Sequence, residues 1–128
     1  MTVPQMTDPQ RALQFWSVLV FAAKEQNVLS FATLAQMTGM VRQGAGRPLG
    51  YIYHYCKHHK LPLLNTLAIS KDTGKPGAPS ETDFDLSTEK TRVFVFDWLS
   101  HGAPSIQDFE AAQAAEQASV AQAASLPA

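Results

Sequence analysis

The chain has 128 residues, 45% apolar and 16% charged, with a formal net charge of −1. That composition supplies one ordinary hydrophobic core and excludes a disordered chain, and no run of about 18 apolar residues offers a membrane span. A single cysteine, Cys56, excludes an intramolecular disulfide and cannot alone build a thiolate zinc site.

The opening residues, MTVPQMTDPQR, lack a basic region followed by an apolar one, so no secretory signal is expected and the chain reads as cytoplasmic. Asp8-Pro9 is a helix start, Asp as N-cap and Pro at the first helical position. Leu13, Trp16, Val20 and Ala23 then recur at helical spacing, widened by Phe15, Leu19 and Ala22, to about Gln26. Val28-Leu29-Ser30 is short and extended. Ser30 caps a brief helix, Phe31 to Thr38, which Gly39 closes in the left-handed conformation. Met40 to Gly46 is a turn. Pro48 opens a third helix, about 48–60, with Leu49, Ile52, Tyr53 and Cys56 inward and Tyr51 and Tyr55 on its flanks; Leu61-Pro62 ends it.

Leu63 to Ser70 has the composition of a strand, and Lys71-Asp72-Thr73-Gly74 is a turn signal. Helix, short strand, two helices, strand and turn follow one another as in a winged helix, the last two forming the wing. In residues 88–100 the run Val93 to Phe96 suits a strand, but Glu89 to Arg92 and Trp98-Leu99 favour a helix ending at Gly102. Ser105 caps a last helical stripe of Ile106, Phe109, Ala112 and Gln113, beyond which an Ala- and Gln-rich segment frays. The expected fold class is α+β, a winged-helix core with added C-terminal helices. Its parts are an N-terminal arm (1–8), the winged-helix domain (9–77), an extension packed on it (78–112) and a flexible tail (113–128).

Charge is distributed unevenly. Residues 1–41 sum to zero, residues 42–76 to +5 and residues 77–128 to −6. The basic block holds Arg42, Arg47, Lys57, Lys60, Lys71 and Lys75 with three of the four histidines, which is the charge pattern of a surface that neutralises phosphates.

Residues 27–77 resemble the C-terminal DNA-binding region of the alkylguanine-DNA alkyltransferases and their cysteine-less alkyltransferase-like relatives. The matching runs are Val28-Leu29-Ser30-Phe31-Ala32-Thr33-Leu34-Ala35, Gly39, Ala45-Gly46-Arg47-Pro48-Leu49-Gly50, and Leu61-Pro62 through Ile69 followed by Lys71 to Gly74. The resemblance implies a helix that enters the minor groove, with Arg47 taking the place of an extruded base. It also places Asn65 at the reactive-cysteine position and Thr66 at the following histidine. An amide is no nucleophile, so alkyl transfer is not expected and no catalytic residue is assigned. Phe31 keeps the family tyrosine's ring without its hydroxyl, and Pro48 changes the backbone beside Arg47.

Other constellations are weaker. His54 and His58 stand at helical i, i+4 spacing, but Cys56 between them faces elsewhere, so no metal is expected. Asp83, Asp85 and Glu89 lack the spacing of a calcium loop. Asp97, Ser100 and His101 lack a nucleophile elbow. The expected function is a non-catalytic DNA-binding module, a regulator or sensor of altered bases, without cofactors. Its contacts would be Arg42, Arg47, Tyr51, Lys57, Lys60, Lys71 and Lys75. The alternative is a protein-interaction module, an accessory or inhibitor protein of a bacterial or phage system, whose partner binds the acidic C-terminal segment.

Overall fold

The computed structural model describes residues 6–70 and 86–125. Among them are six α-helices, α1 (Asp8–Lys24), α2 (Phe31–Thr38), α3 (Gly46–His58), α4 (Leu86–Val95), α5 (Trp98–His101) and α6 (Ile106–Ser125). Two strands of two residues each, β1 (Leu29–Ser30) and β2 (Ala68–Ile69), pair in parallel, Leu29 opposite Ala68 and Ser30 opposite Ile69.

The described residues are mostly helical, and the expected winged-helix α+β core is not what they form. A wing is an antiparallel hairpin, whereas β2 pairs in parallel with β1, its partner being separated from it by two helices. The predicted strand Leu63–Ser70 is largely a 3-10 turn, Leu64–Leu67, with Thr66 Oγ1 donating to the Leu63 carbonyl at 2.7 Å. Residues 64–68 are buried without a break. A one-sided strand would alternate between core and solvent; this segment turns so that Leu64 and Leu67 both enter the core. The predicted wing turn, Lys71 to Gly74, lies outside the described residues.

Local signals account for the first two helices. Thr7, one residue before the expected cap, begins α1: its hydroxyl accepts from Gln10 N–H at 3.4 Å, and Gln10 Oε1 accepts from Thr7 N–H at 2.8 Å. That reciprocal pair satisfies two amides that the helix itself cannot bond. Asp8 and Pro9 then occupy the first helical positions. Ser30 caps α2 by accepting from Thr33 N–H at 3.1 Å, and Gly39 closes it at φ +72°. At that φ glycine has no Cβ to clash. Arg11 of α1 donates to the Thr38 carbonyl, tying the end of α2 to α1.

The core joins α1 to both α3 and α6. From α1 it takes Ala12, Phe15, Trp16 and Leu19, and from α3 it takes Leu49, Ile52, Tyr55 and Cys56. Phe109 and Ala112 of α6 complete it, with Phe109 wholly buried. Ser105 and Asp108 start α6 with another reciprocal cap, Ser105 N–H to Asp108 Oδ2 at 2.9 Å and Asp108 N–H to Ser105 Oγ at 3.1 Å. The ambiguous stretch 88–100 is helical, as α4 and α5, broken at Phe96-Asp97.

Phe109 fills space between α1 and α3, so Phe109→Ala should destabilise the whole domain by about 3–5 kcal/mol, the range for a large buried aromatic. Urea unfolding followed by tryptophan fluorescence checks this; a loss below about 1 kcal/mol would mean that α6 is peripheral.

Candidate nucleic-acid interface on the third helix

Helix α3 follows a turn built from Gly39 to Ala45, which includes a 3-10 turn at Arg42–Gly44. Its inner side is set by Leu49, Ile52, Tyr53, Tyr55 and Cys56, all buried. Arg47, Tyr51, His54 and His58 recur at intervals of four, three and four residues, which places them along one stripe of a helix about 20 Å long. Arg47, Lys57 and His58 are exposed, while Gly50, Tyr51 and His54 are half-buried. α3 itself carries no carboxylate, and none occurs in the sequence from residue 26 to residue 71.

The predicted contact residues fall into separate groups. Arg47, Tyr51 and Lys57 share the outer side of α3. The Lys57 ammonium sits 5.7 Å from the Tyr53 ring centroid, in cation–π range. Lys60 is exposed just past the end of α3 at φ +56°, the left-handed residue of a closure in which Leu61 N–H donates to the Cys56 carbonyl at 2.8 Å. Arg42 lies in the 3-10 turn before α3. Lys71 and Lys75 lie outside the described residues.

Tyr55, expected on a flank, is 5% exposed. The reason is α6, which covers that side of α3: Tyr55 packs edge-on against Phe109 at 5.6 Å and against Trp16 at 5.5 Å. Its hydroxyl is 2.9 Å from His101 Nε2. Burial is the largest cause that holds the Tyr55 phenol above its ordinary value. The same helix brings acid to the edge of the interface. Glu116 acts on His54 and Asp108 on Tyr55, so the α6 side of α3 carries acid.

Cys56, Asn65 and Thr66 are all closed to solvent. Cys56 is fully buried and its thiol is pushed up to about 12, chiefly by burial and further by the charge of Glu89, against an opposing hydrogen bond with the Leu64 backbone. Asn65 and Thr66 are buried in the 3-10 turn. Among the described residues no cluster of three or more His, Cys, Asp or Glu side chains could hold a metal. Asp97 spends its carboxylate on α5, accepting from Ser100 N–H at 3.2 Å and Ser100 Oγ at 2.6 Å, and shows no nucleophile arrangement with His101. No helix among the described residues is long and apolar enough to cross a membrane.

His54 was not among the predicted contacts, yet it sits in the middle of the outer stripe. Its i+7 distance from Arg47 was the available signal. No family model, curated protein or solved structure matches this chain.

Two measurements check the electrostatics of α3. Cys56 should resist a thiol reagent such as DTNB in the native state and react at once in denaturant; rapid native labelling would contradict its burial. Burial is the largest cause holding His54 below the ordinary histidine value, Lys57 adding to it and Glu116 opposing. The neutral form is therefore favoured by folding. Its contribution is complete above the unfolded value of about 6.5 and is lost as pH falls through the lower folded value. His54→Gln should flatten the acid side of the stability–pH curve, as read by urea titrations at several pH values.

Proposed function

We propose that this protein is a non-catalytic DNA-binding module that meets the duplex with the outer face of α3 and the turn before it. The observation that carries this reading is the basic, acid-free stretch of sequence: Arg47, Tyr51, His54, Lys57 and His58 lie along one side of α3, within residues 26 to 71, which contain no acid, and Glu116 of α6 stands at the edge beside His54. Phosphate neutralisation by such a surface releases counterions and gives affinity without any special sequence. Aromatic rings among the cations add stacking partners. The buried, high-pKa Cys56 and the amide at Asn65 support a role without group transfer.

The resemblance to the alkyltransferase DNA-binding region suggests a more specific part for Arg47. It stands exposed at the second position of α3, where a rigid helix presents a planar guanidinium. In this reading Arg47 occupies the space of an extruded base and hydrogen-bonds its orphaned partner, which makes the protein a sensor of altered bases. Lys57 and Lys60 hold phosphates. DNA approaches the part of α3 away from Glu116 and Asp108 of α6.

Fluorescence-anisotropy titrations on intact and mismatched duplexes across a salt series test both levels. Lys57→Ala and Lys60→Ala should weaken binding to both duplexes alike and lower the slope of log K against log salt by about one each. Arg47→Ala should cost about 1–3 kcal/mol more on the mismatched duplex, and Arg47→Lys should not restore it. Glu116→Gln should strengthen binding to both. Equal losses for Arg47→Ala on both duplexes would reduce Arg47 to a phosphate contact. No binding by the wild type at low salt would overturn the DNA reading.

A further inference from the structure

On the reading of α3 as the DNA-facing helix, we infer that the distal half of α6, from Gln113 onward, is an acidic strap that a bound duplex displaces. The first turns of α6 are fixed: Ser105 and Asp108 cap them, Phe109 is wholly buried and Ala112 is buried. From Gln113 to Ala118 no apolar side chain is larger than alanine, so this stretch has little area with which to hold itself down. Phe109, Gln113 and Glu116 follow at i, i+4 and i+7, on one face of the helix. Phe109 packs on Tyr55 and Glu116 acts on His54, so that face runs along α3.

The seat of the strap is poorly satisfied. Gln113 Oε1 and His54 Nδ1 are both buried without a hydrogen-bond partner. A polar atom shut away from water in this way disfavours the closed arrangement, and both atoms regain water when the strap lifts. Charge opposes that loss. Glu116 stands beside His54, midway along the stripe of Arg47, Tyr51, His54 and His58, and holds to it as a phosphate would. A duplex brings many phosphates against this one carboxylate. It meets α3 away from α6 first; its charge then repels Glu116, and lifting the strap adds His54 to the contact. Once off α3, an end of helix rich in alanine and glutamine has no packing to keep it wound, and its amides open to water.

Hydrogen–deuterium exchange of the full chain with and without a short duplex at low salt, beside an anisotropy titration of the same samples, tests the strap. The duplex should speed exchange about tenfold or more in peptides covering 113–118 and leave those covering 106–112 unchanged. Gln113→Leu replaces the unpartnered amide with an apolar group. It should raise the thermal midpoint, slow exchange at 113–118 in the free protein and weaken duplex binding several-fold, with the salt slope unchanged. Glu116→Gln removes the tether, so it should speed exchange there without DNA and tighten binding. A duplex that binds without faster exchange at 113–118 would overturn the strap and leave the DNA reading in place. So would a Gln113→Leu variant that is stabilised yet binds as tightly as the wild type. A wild type that binds no duplex would overturn the DNA reading, and the strap with it.

Discussion

The structure depends on the burial of one side chain. Trp16 of α1 is 2% exposed and meets three aromatic rings edge-on: Tyr55 of α3 at 5.5 Å, Trp98 of α5 at 5.4 Å and Phe109 of α6 at 6.2 Å. Each such pair contributes about 0.5–1.5 kcal/mol beyond the area it buries, and here one indole makes three at once. Trp98 also satisfies its own polar end, Nε1 donating to the Val93 carbonyl at 2.9 Å, which fixes the α4–α5 corner. Elements distant in sequence are therefore locked to α1 at one point. Because Tyr55 faces Trp16, the opposite side of α3, with Arg47 and Lys57, must face outward.

A second constraint holds the irregular middle of the chain. Glu89 of α4 is 6% exposed, accepts from Leu63 N–H at 2.7 Å and pairs with Arg92 at 2.8 Å. A buried carboxylate without such partners would be costly. With them, it anchors α4 to the segment that enters the 3-10 turn at Leu64–Leu67 and delivers Ala68-Ile69 to β1. That anchoring sets the position of Asn65, which is buried in the same 3-10 turn.

Features written in a few adjacent residues were legible in the sequence. Ser30 and Gly39 delimit α2 as their capping chemistry dictates, and the helical spacing of Leu49, Ile52, Tyr53 and Cys56 gave the inner side of α3. The winged helix was misread because Leu63 to Ser70 has strand composition, and composition cannot reveal that Leu64 and Leu67 are both drawn into the core by α1 and α3. The burial of Tyr55 was equally invisible, since it depends on α6, some fifty residues further along. The cationic members of the candidate interface were legible because charge and helical period are both local. Its limits were not: Glu116 and Asp108 reach α3 only through tertiary packing.

The central claim is that α3 presents its outer face to DNA while the α4–α5 corner stands apart from it. An amide-resolved NMR titration with a short duplex at low salt tests this most directly. The account predicts shifts concentrated at Arg47, Tyr51, His54, Lys57 and His58, in the turn before them and in α6 from Gln113 onward, with Val95 and Leu99 unmoved. Shifts centred on Val95, Asp97 and Leu99, or none anywhere, would contradict it.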